Sequence, residues 1–299
     1  MSNPPLKSHY IGSLYALGAF CAWGLLPVYW KSFGNTSAME ILSHRMMWSL
    51  IFLIVLIFLK REWLEFKKIF ANKQSLFILC LTSIIIGINW LVYIWAVNNN
   101  HIIEASLGYF INPLINILLA VVLLNESLNP RQLLAVLLAA IGVLISIIKF
   151  GDFPWIALTL AFTFAFYGYF RKIVRVESVV GLTFETAILS PLAIAHMIFL
   201  QWKSSAVFLT HWQTDLLFAG AGIITATPLA WFASGARKIR LSTLGFFQYL
   251  TPSIQLVIGV FIYKEDFTKT HLITFGLIWC ALLIHTLDSL YPQHANRKR

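Results

Sequence analysis

The chain has 299 residues, of which 59% are hydrophobic and 11% charged, with a mean hydropathy of +0.78. Soluble domains carry about 25% charged residues, so this composition excludes a soluble globular protein and points to an integral membrane protein. The net charge of +10 does not imply a nucleic-acid partner. The basic residues sit in short segments between apolar runs, where they set orientation in the bilayer, and no segment outside the membrane is long enough to hold a nucleic acid.

Ten runs of about 20 apolar residues follow in order: 10–31, 41–59, 75–97, 103–124, 131–149, 154–171, 180–200, 214–236, 242–263 and 270–290. The first is followed by nine more, which argues against a cleavable signal. The longest gap, Lys60 to Gln74, contains KREWLEFKKIFANK and predicts a short amphipathic helix lying on the membrane surface. With the N-terminus cytoplasmic, sixteen Lys and Arg fall inside. Five fall outside: Lys31, Lys149, Lys203, Lys264 and Lys269. That bias places both termini in the cytoplasm.

The fourth and ninth runs match at an offset of 139 residues. Pro113 falls on Pro252, Glu126 on Glu265, Asn116 on Gln255, Tyr109 on Gln248 and Ala120 on Gly259. Ser106-Leu107-Gly108 is echoed two residues out of register by Thr243-Leu244-Gly245. Weaker echoes are F-x-x-W-G at 20–24 against F-x-x-Y-G at 164–168, and Glu40 against Glu185 near the starts of the second and seventh runs. An internal duplication is expected, with halves 1–149 and 150–299. Five spans per half is an odd number, so the second half enters from the opposite side and the repeats are inverted. Such repeats in a hydrophobic chain predict a transporter whose substrate site lies where the halves meet.

Polar groups in apolar runs supply the candidate site residues. Arg45 has two readings, snorkelling to the outer headgroups, or gating the outer mouth and anchoring an anionic group of the solute. Glu40, Glu104 and Glu185 lie near helix starts, where negative charge caps the helix. Glu104 and Glu185 are the candidates for proton coupling. Asn112 and Asn116 share a face with Glu104 and Gly108, while Gln248 and Gln255 share one with Gly245, Pro252 and Gly259. These amides serve either helix packing or a solute site. Pro113 and Pro252 favour the site, because each frees a backbone carbonyl that needs another partner. Asn89, Tyr93 and Trp231 complete the expected solute-binding set, and Thr225 and Thr227 could add polar contacts. Cys21, Cys80 and Cys280 form no metal or disulfide pattern, and no phosphate loop, H-E-x-x-H or G-x-S-x-G is present. Neither a catalytic residue, a metal nor a cofactor is expected. Two rival readings remain: a non-transporting membrane sensor or assembly subunit, and an intramembrane enzyme acting on lipid.

The aromatic-Gly pairs Trp23-Gly24 and Tyr167-Gly168, the arginine of the second run and the proline-to-glutamate endings of the fourth and ninth together resemble the EamA repeat of the drug/metabolite transporter superfamily. EILSHRMMWS (40–49), NWLVYIWAVNN (89–99), EASLGYFINPL (104–114), AFTFAFYG (161–168) and RLSTLGFFQYLTP (240–252) are similar to the RarD-type members of that family, over nearly the whole chain. Asn125 and Lys264 depart from the pattern, standing where the wider repeat often has glycine before the glutamate. The resemblance implies an all-α integral membrane protein of ten transmembrane helices in two inverted five-helix EamA-type repeats. It also implies an inner-membrane permease that exports small amphipathic or amino-acid-like metabolites, or drugs such as chloramphenicol. The partners implied are a small-molecule solute and the lipid bilayer, and the fifth and tenth helices could supply a homodimer face.

Overall fold

The computed structural model describes residues 6–124, 130–150, 153–236, 238 and 247–290. Each of the ten apolar runs contains a helix. In chain order these are α1 (Leu6–Lys31), α2 (Ala38–Lys60), the short α3 (Trp63–Ala71), α4 (Lys73–Asn98), α5 (Ile102–Leu124), α6 (Pro130–Phe150), α7 (Trp155–Ile173), α8 (Ser178–Trp202), α9 (Trp212–Ala236), α10 (Leu250–Val257), which runs on as a π-helical turn over Ile258–Ile262, and α11 (Lys269–Leu290). Among the described residues, four helices are long and apolar enough to cross a membrane, those covering Tyr10–Lys31, Ala38–Lys60, Lys73–Asn98 and Val179–Trp202.

Local chemistry sets several boundaries. The Ser37 side chain accepts from the Glu40 N–H at 3.1 Å and begins α2. Arg61 ends α2 in the left-handed region at φ +58°, its N–H reaching Ile57 and Phe58 carbonyls. The Asn72 side chain caps α4 through the Ser75 N–H at 3.0 Å. Between α2 and α4, α3 turns Phe66 and Phe70 onto Phe184 of α8 and leaves Lys67 and Lys68 exposed. This is the short amphipathic helix that the sequence predicts in this gap.

Two carboxylates, Glu40, expected to cap its own helix, and Glu265, expected to end one, tie distant segments together. Glu40 accepts from the backbone N–H groups of Val207 at 2.7 Å and Phe208 at 3.3 Å, between α8 and α9. Glu265 accepts from Ile102 and Ile103, both at 2.9 Å, and so caps α5 from across the chain. Glu126 and Asn125 lie outside the described residues. Lys264 is described, and its backbone sits at φ +56°. That conformation favours glycine, which accounts for the residue type the wider family pattern has there.

The packing pairs come in matched sets. α6 packs on α11, α2 on α8, and α5 on α10; α5 packs on α7 as α1 does on α10; α1 packs on α9 as α4 does on α7; and α2 packs on α9 as α4 does on α8. Two of these contacts are closer than a side chain permits. A Cβ on Gly24 would stand 2.8 Å from Ile254 of α10, and one on Gly108 would stand 2.6 Å from the Ala157 carbonyl of α7. Glycine lets the backbones approach, as helix packing in membranes requires.

Candidate functional site

The candidate site is built from amides and phenols on α4, α5 and α10 where those helices meet α1 and α7. From α4, Asn89 donates to the Leu160 carbonyl at 3.2 Å and to Thr163 Oγ1 at 2.9 Å, joining α4 to α7. One turn on, Tyr93 is buried and its hydroxyl accepts from Gln255 Nε2 of α10 at 3.0 Å. Asn112 of α5 donates to the Ala161 carbonyl at 3.0 Å, while Gln248 Nε2 reaches Asn112 Oδ1 at 3.4 Å. Gln255 also donates to the Trp23 carbonyl at 3.3 Å, and Thr251 to the Phe20 carbonyl at 2.8 Å. Five of the seven expected solute-binding residues therefore fall into three hydrogen-bonded sets, Asn89 with α7, Tyr93 with Gln255, and Asn112 with Gln248.

The other two expected solute-binding residues stand apart. Trp231 is 39% exposed and lies against Gly18 of α1. The side chain of Asn116 lies outside the described residues, as do that of Pro113 and the whole of Gly245.

Arg45 does not snorkel. It is 5% exposed, with its guanidinium carbon 4.3 Å from the centre of the Trp90 ring and 5.1 Å from that of Trp30. Its Nε donates to Thr225 Oγ1 at 3.1 Å, and the Tyr109 and Tyr93 hydroxyls lie within electrostatic range. Burying an ion costs several kcal/mol. Two desolvated cation–π contacts at about 2 kcal/mol each and one charge-assisted hydrogen bond at about 1.5–3 kcal/mol offset much of that. They leave Nη1 buried without an acceptor, and Trp30 Nε1 beside it is buried and unpaired as well.

Glu185 of α8 is fully buried in a second polar cluster. It accepts from Thr82 Oγ1 of α4 at 2.7 Å and from the Tyr167 hydroxyl of α7 at 3.0 Å, and Arg171 Nη1 stands 3.7 Å away. Arg171 also donates to the Glu177 carbonyl at 3.2 Å. The guanidinium occupies the space that a side chain at 181 would fill, since a Cβ on Gly181 would lie 1.8 Å from Nη1. Sequence reasoning treated Arg171 as a surface charge and did not find this cluster, nor Trp30 as a wall of the Arg45 site.

Glu104 lies away from both clusters. It is half-buried in the first turn of α5, paired with His101 Nδ1 at 2.8 Å. It lines a surface cavity of about 490 Å³ together with Asn100, Tyr263, Lys264, Glu265, Asp266 and His271. Lys31 closes one side, bonding Asn100 and standing 4.8 Å over the Tyr263 ring.

The EamA-like transporter family model matches the chain twice, over residues 10–148 and 154–287. The chain is 44% identical over 288 residues to an uncharacterised transporter of Vibrio cholerae, covering 96% of this chain and 95% of that one. It is 43% identical over 288 residues to the protein RarD of Escherichia coli K12, covering 96% and 97%. A protein of known crystal structure superposes with a TM-score of 0.60 over 92% of this chain and 97% of its own, at 18% identity, a likeness of fold alone.

Proposed function

The chain belongs to the EamA-like transporter family as a RarD-type membrane transporter, and on that basis we propose that it is a secondary transporter working by alternating access between two inverted five-helix repeats. The repeats are residues 1–149 and 150–299, spanning the inner membrane ten times with both termini cytoplasmic. The observation that carries the proposal is the pair of hydrogen bonds crossing from the α10 segment to the first half, Gln255 to Tyr93 at 3.0 Å and Gln248 to Asn112 at 3.4 Å. Polar contacts between two halves of an apolar bundle can be exchanged for contacts with a solute as the halves rock, at little net cost in hydrogen bonds. The matched packing pairs support the symmetry, because exchanging the halves maps most of the larger helix contacts onto themselves or onto one another.

In this reading Asn89, Tyr93, Asn112, Gln248 and Gln255 contact the solute, and the transporter exports small amphipathic or amino-acid-like metabolites, or drugs such as chloramphenicol. Glu185 is the coupling carboxylate. A proton arriving there would loosen its hold on Arg171, Tyr167 and Thr82, and thereby the contact of α8 with α4 and α7. Glu104 is assigned to the rim, where it pairs with His101.

The test is solute flux into liposomes containing only this protein, with and without a pH gradient. Saturable flux is expected, and replacing Asn112 or Gln248 with alanine should alter its KM or maximal rate while insertion is unchanged. No flux of any solute would return the protein to the sensor or enzyme readings. Unchanged kinetics in both variants would remove these residues from the site.

A further inference from the structure

We infer that the Arg45 site takes the carboxylate of a solute that also carries a hydrogen-bond donor and an aromatic or apolar body. This rests on the transporter reading and names the substrate class that the transporter's own unpaired atoms select.

Three observations converge. The first is charge. Among the described residues no carboxylate stands within ion-pair distance of Arg45, although it is 5% exposed. A buried cation held only by π faces, one hydroxyl and nearby phenols favours an anion arriving from outside, since Coulomb attraction is strong where water is excluded. The second is the set of unpaired atoms. Arg45 Nη1 and Trp30 Nε1 are buried donors without acceptors, on side chains joined by a cation–π contact of 5.1 Å. A carboxylate has two oxygens and can accept from both.

The third observation is an unpaired acceptor joined to the same site. Gln255 is 1% exposed, and its Nε2 is used twice, by the Trp23 carbonyl and the Tyr93 hydroxyl, while its Oε1 has no partner. Tyr93 links the two ends, being bonded to Gln255 and within electrostatic range of Arg45. A solute hydroxyl or ammonium would satisfy Oε1. The neighbouring side chains are aromatic, with Trp90 against the guanidinium and Tyr93, Tyr109 and Phe164 in edge-to-face succession at 5.7 and 5.9 Å. Such neighbours suit a ring or a branched chain.

The site's charge also ranks the candidates. A hydroxy acid brings a net negative charge to an uncompensated guanidinium, whereas a zwitterion brings none. Binding should be tightest for 3-phenyllactate, which brings both net charge and the donor. It should be weaker for L-phenylalanine, which lacks the net charge, and for 3-phenylpropionate, which lacks the donor, and weakest for 2-phenylethylamine and chloramphenicol, since neither has a carboxylate.

The experiment titrates these five compounds against the purified full-length protein in detergent, reading tryptophan fluorescence and the thermal unfolding midpoint. The expected result is saturable binding of 3-phenyllactate at least tenfold tighter than of 2-phenylethylamine. Arg45→Gln should weaken 3-phenyllactate at least tenfold, and Gln255→Leu should bring it to the level of 3-phenylpropionate. The compound series on the unmodified protein decides the matter even where a variant folds poorly. Equal or tighter binding of the amine or of chloramphenicol, or no binding of any acid, overturns the inference. Flux of the tighter binder in liposomes would then leave the transporter reading standing. Acids that bind and never cross a liposome membrane would sustain the anion site and defeat the transporter reading.

Discussion

Two buried charges lie on the packed pair α2 and α8, and the protein treats them differently. Glu185 has its partners built in, with hydrogen bonds from Thr82 and Tyr167 and the Arg171 guanidinium 3.7 Å away. Arg45 has two indole faces and a single hydroxyl, with Nη1 left over. A charge whose counterion is supplied by the chain contributes to the fold in its resting state. One whose counterion is missing sits in a site completed by something else. The difference fits the proposed roles, Glu185 in the coupling of helix positions and Arg45 in recognition.

Breaking the satisfied cluster should have the largest effect. Removing one partner of a buried pair costs about 3–5 kcal/mol. Arg171→Met should accordingly lower stability in detergent by about 3 kcal/mol in denaturant titration, and Glu185→Gln in the same chain should restore most of the loss. Additive losses in the double variant would show that the two side chains do not act as a pair. Gly181→Ala tests the same contact through space, since its methyl would stand 1.8 Å from Arg171 Nη1. Overpacking of this kind costs about 1–3 kcal/mol, read as a lower unfolding midpoint.

Arg45→Gln should behave in the opposite way. The shorter neutral amide gives up the cation–π contacts together with the cost of burying the charge, so unfolding should move by less than about 1 kcal/mol while solute binding collapses. A destabilisation as large as that of Arg171→Met would erase the distinction between the clusters. The smallest effect is expected away from both, at Lys264. Its φ of +56° costs a side-chain-bearing residue about 1–2 kcal/mol. Glycine removes that strain but adds freedom to the unfolded chain, and Lys264→Gly should raise stability by no more than about 1 kcal/mol. Its solute affinity should equal that of the unmodified protein, which makes it a control for the two buried sites.

Much of the fold is legible in the sequence because the bilayer restricts what a span can be: a run of about 20 apolar residues has one stable structure there. Helices occur at all ten runs, and the basic amphipathic gap is α3. The polar residues Asn89, Tyr93, Asn112, Gln248 and Gln255 were also legible, since an amide or phenol in an apolar run has to find a partner. Which partner it finds is not written locally. Trp30 and Trp90 stand 60 residues apart in the chain, and Arg45 lies between them only because α1, α2 and α4 meet. Trp231 looks like Trp90 in sequence, yet it lies against Gly18 with 39% of its surface exposed, because helix rotation about its own axis is set by neighbours. Glu40 reads as a cap of its own helix and Glu265 as the ending of its own, but each reaches across the chain to backbone N–H groups of another segment. The position of Arg171 inside the bundle had one trace in the sequence, a glycine at 181 early in a helix, and that trace acquires meaning only once α7 and α8 are seen side by side.

The most direct measurement is counterflow of labelled 3-phenyllactate in liposomes containing only this protein, comparing the unmodified chain with Arg45→Gln at matched insertion. Saturable accumulation in the first and at least a tenfold loss in the second is the predicted result. Accumulation that is equal in the two, or absent from both while another solute of the series is carried, would contradict recognition by the unpaired arginine.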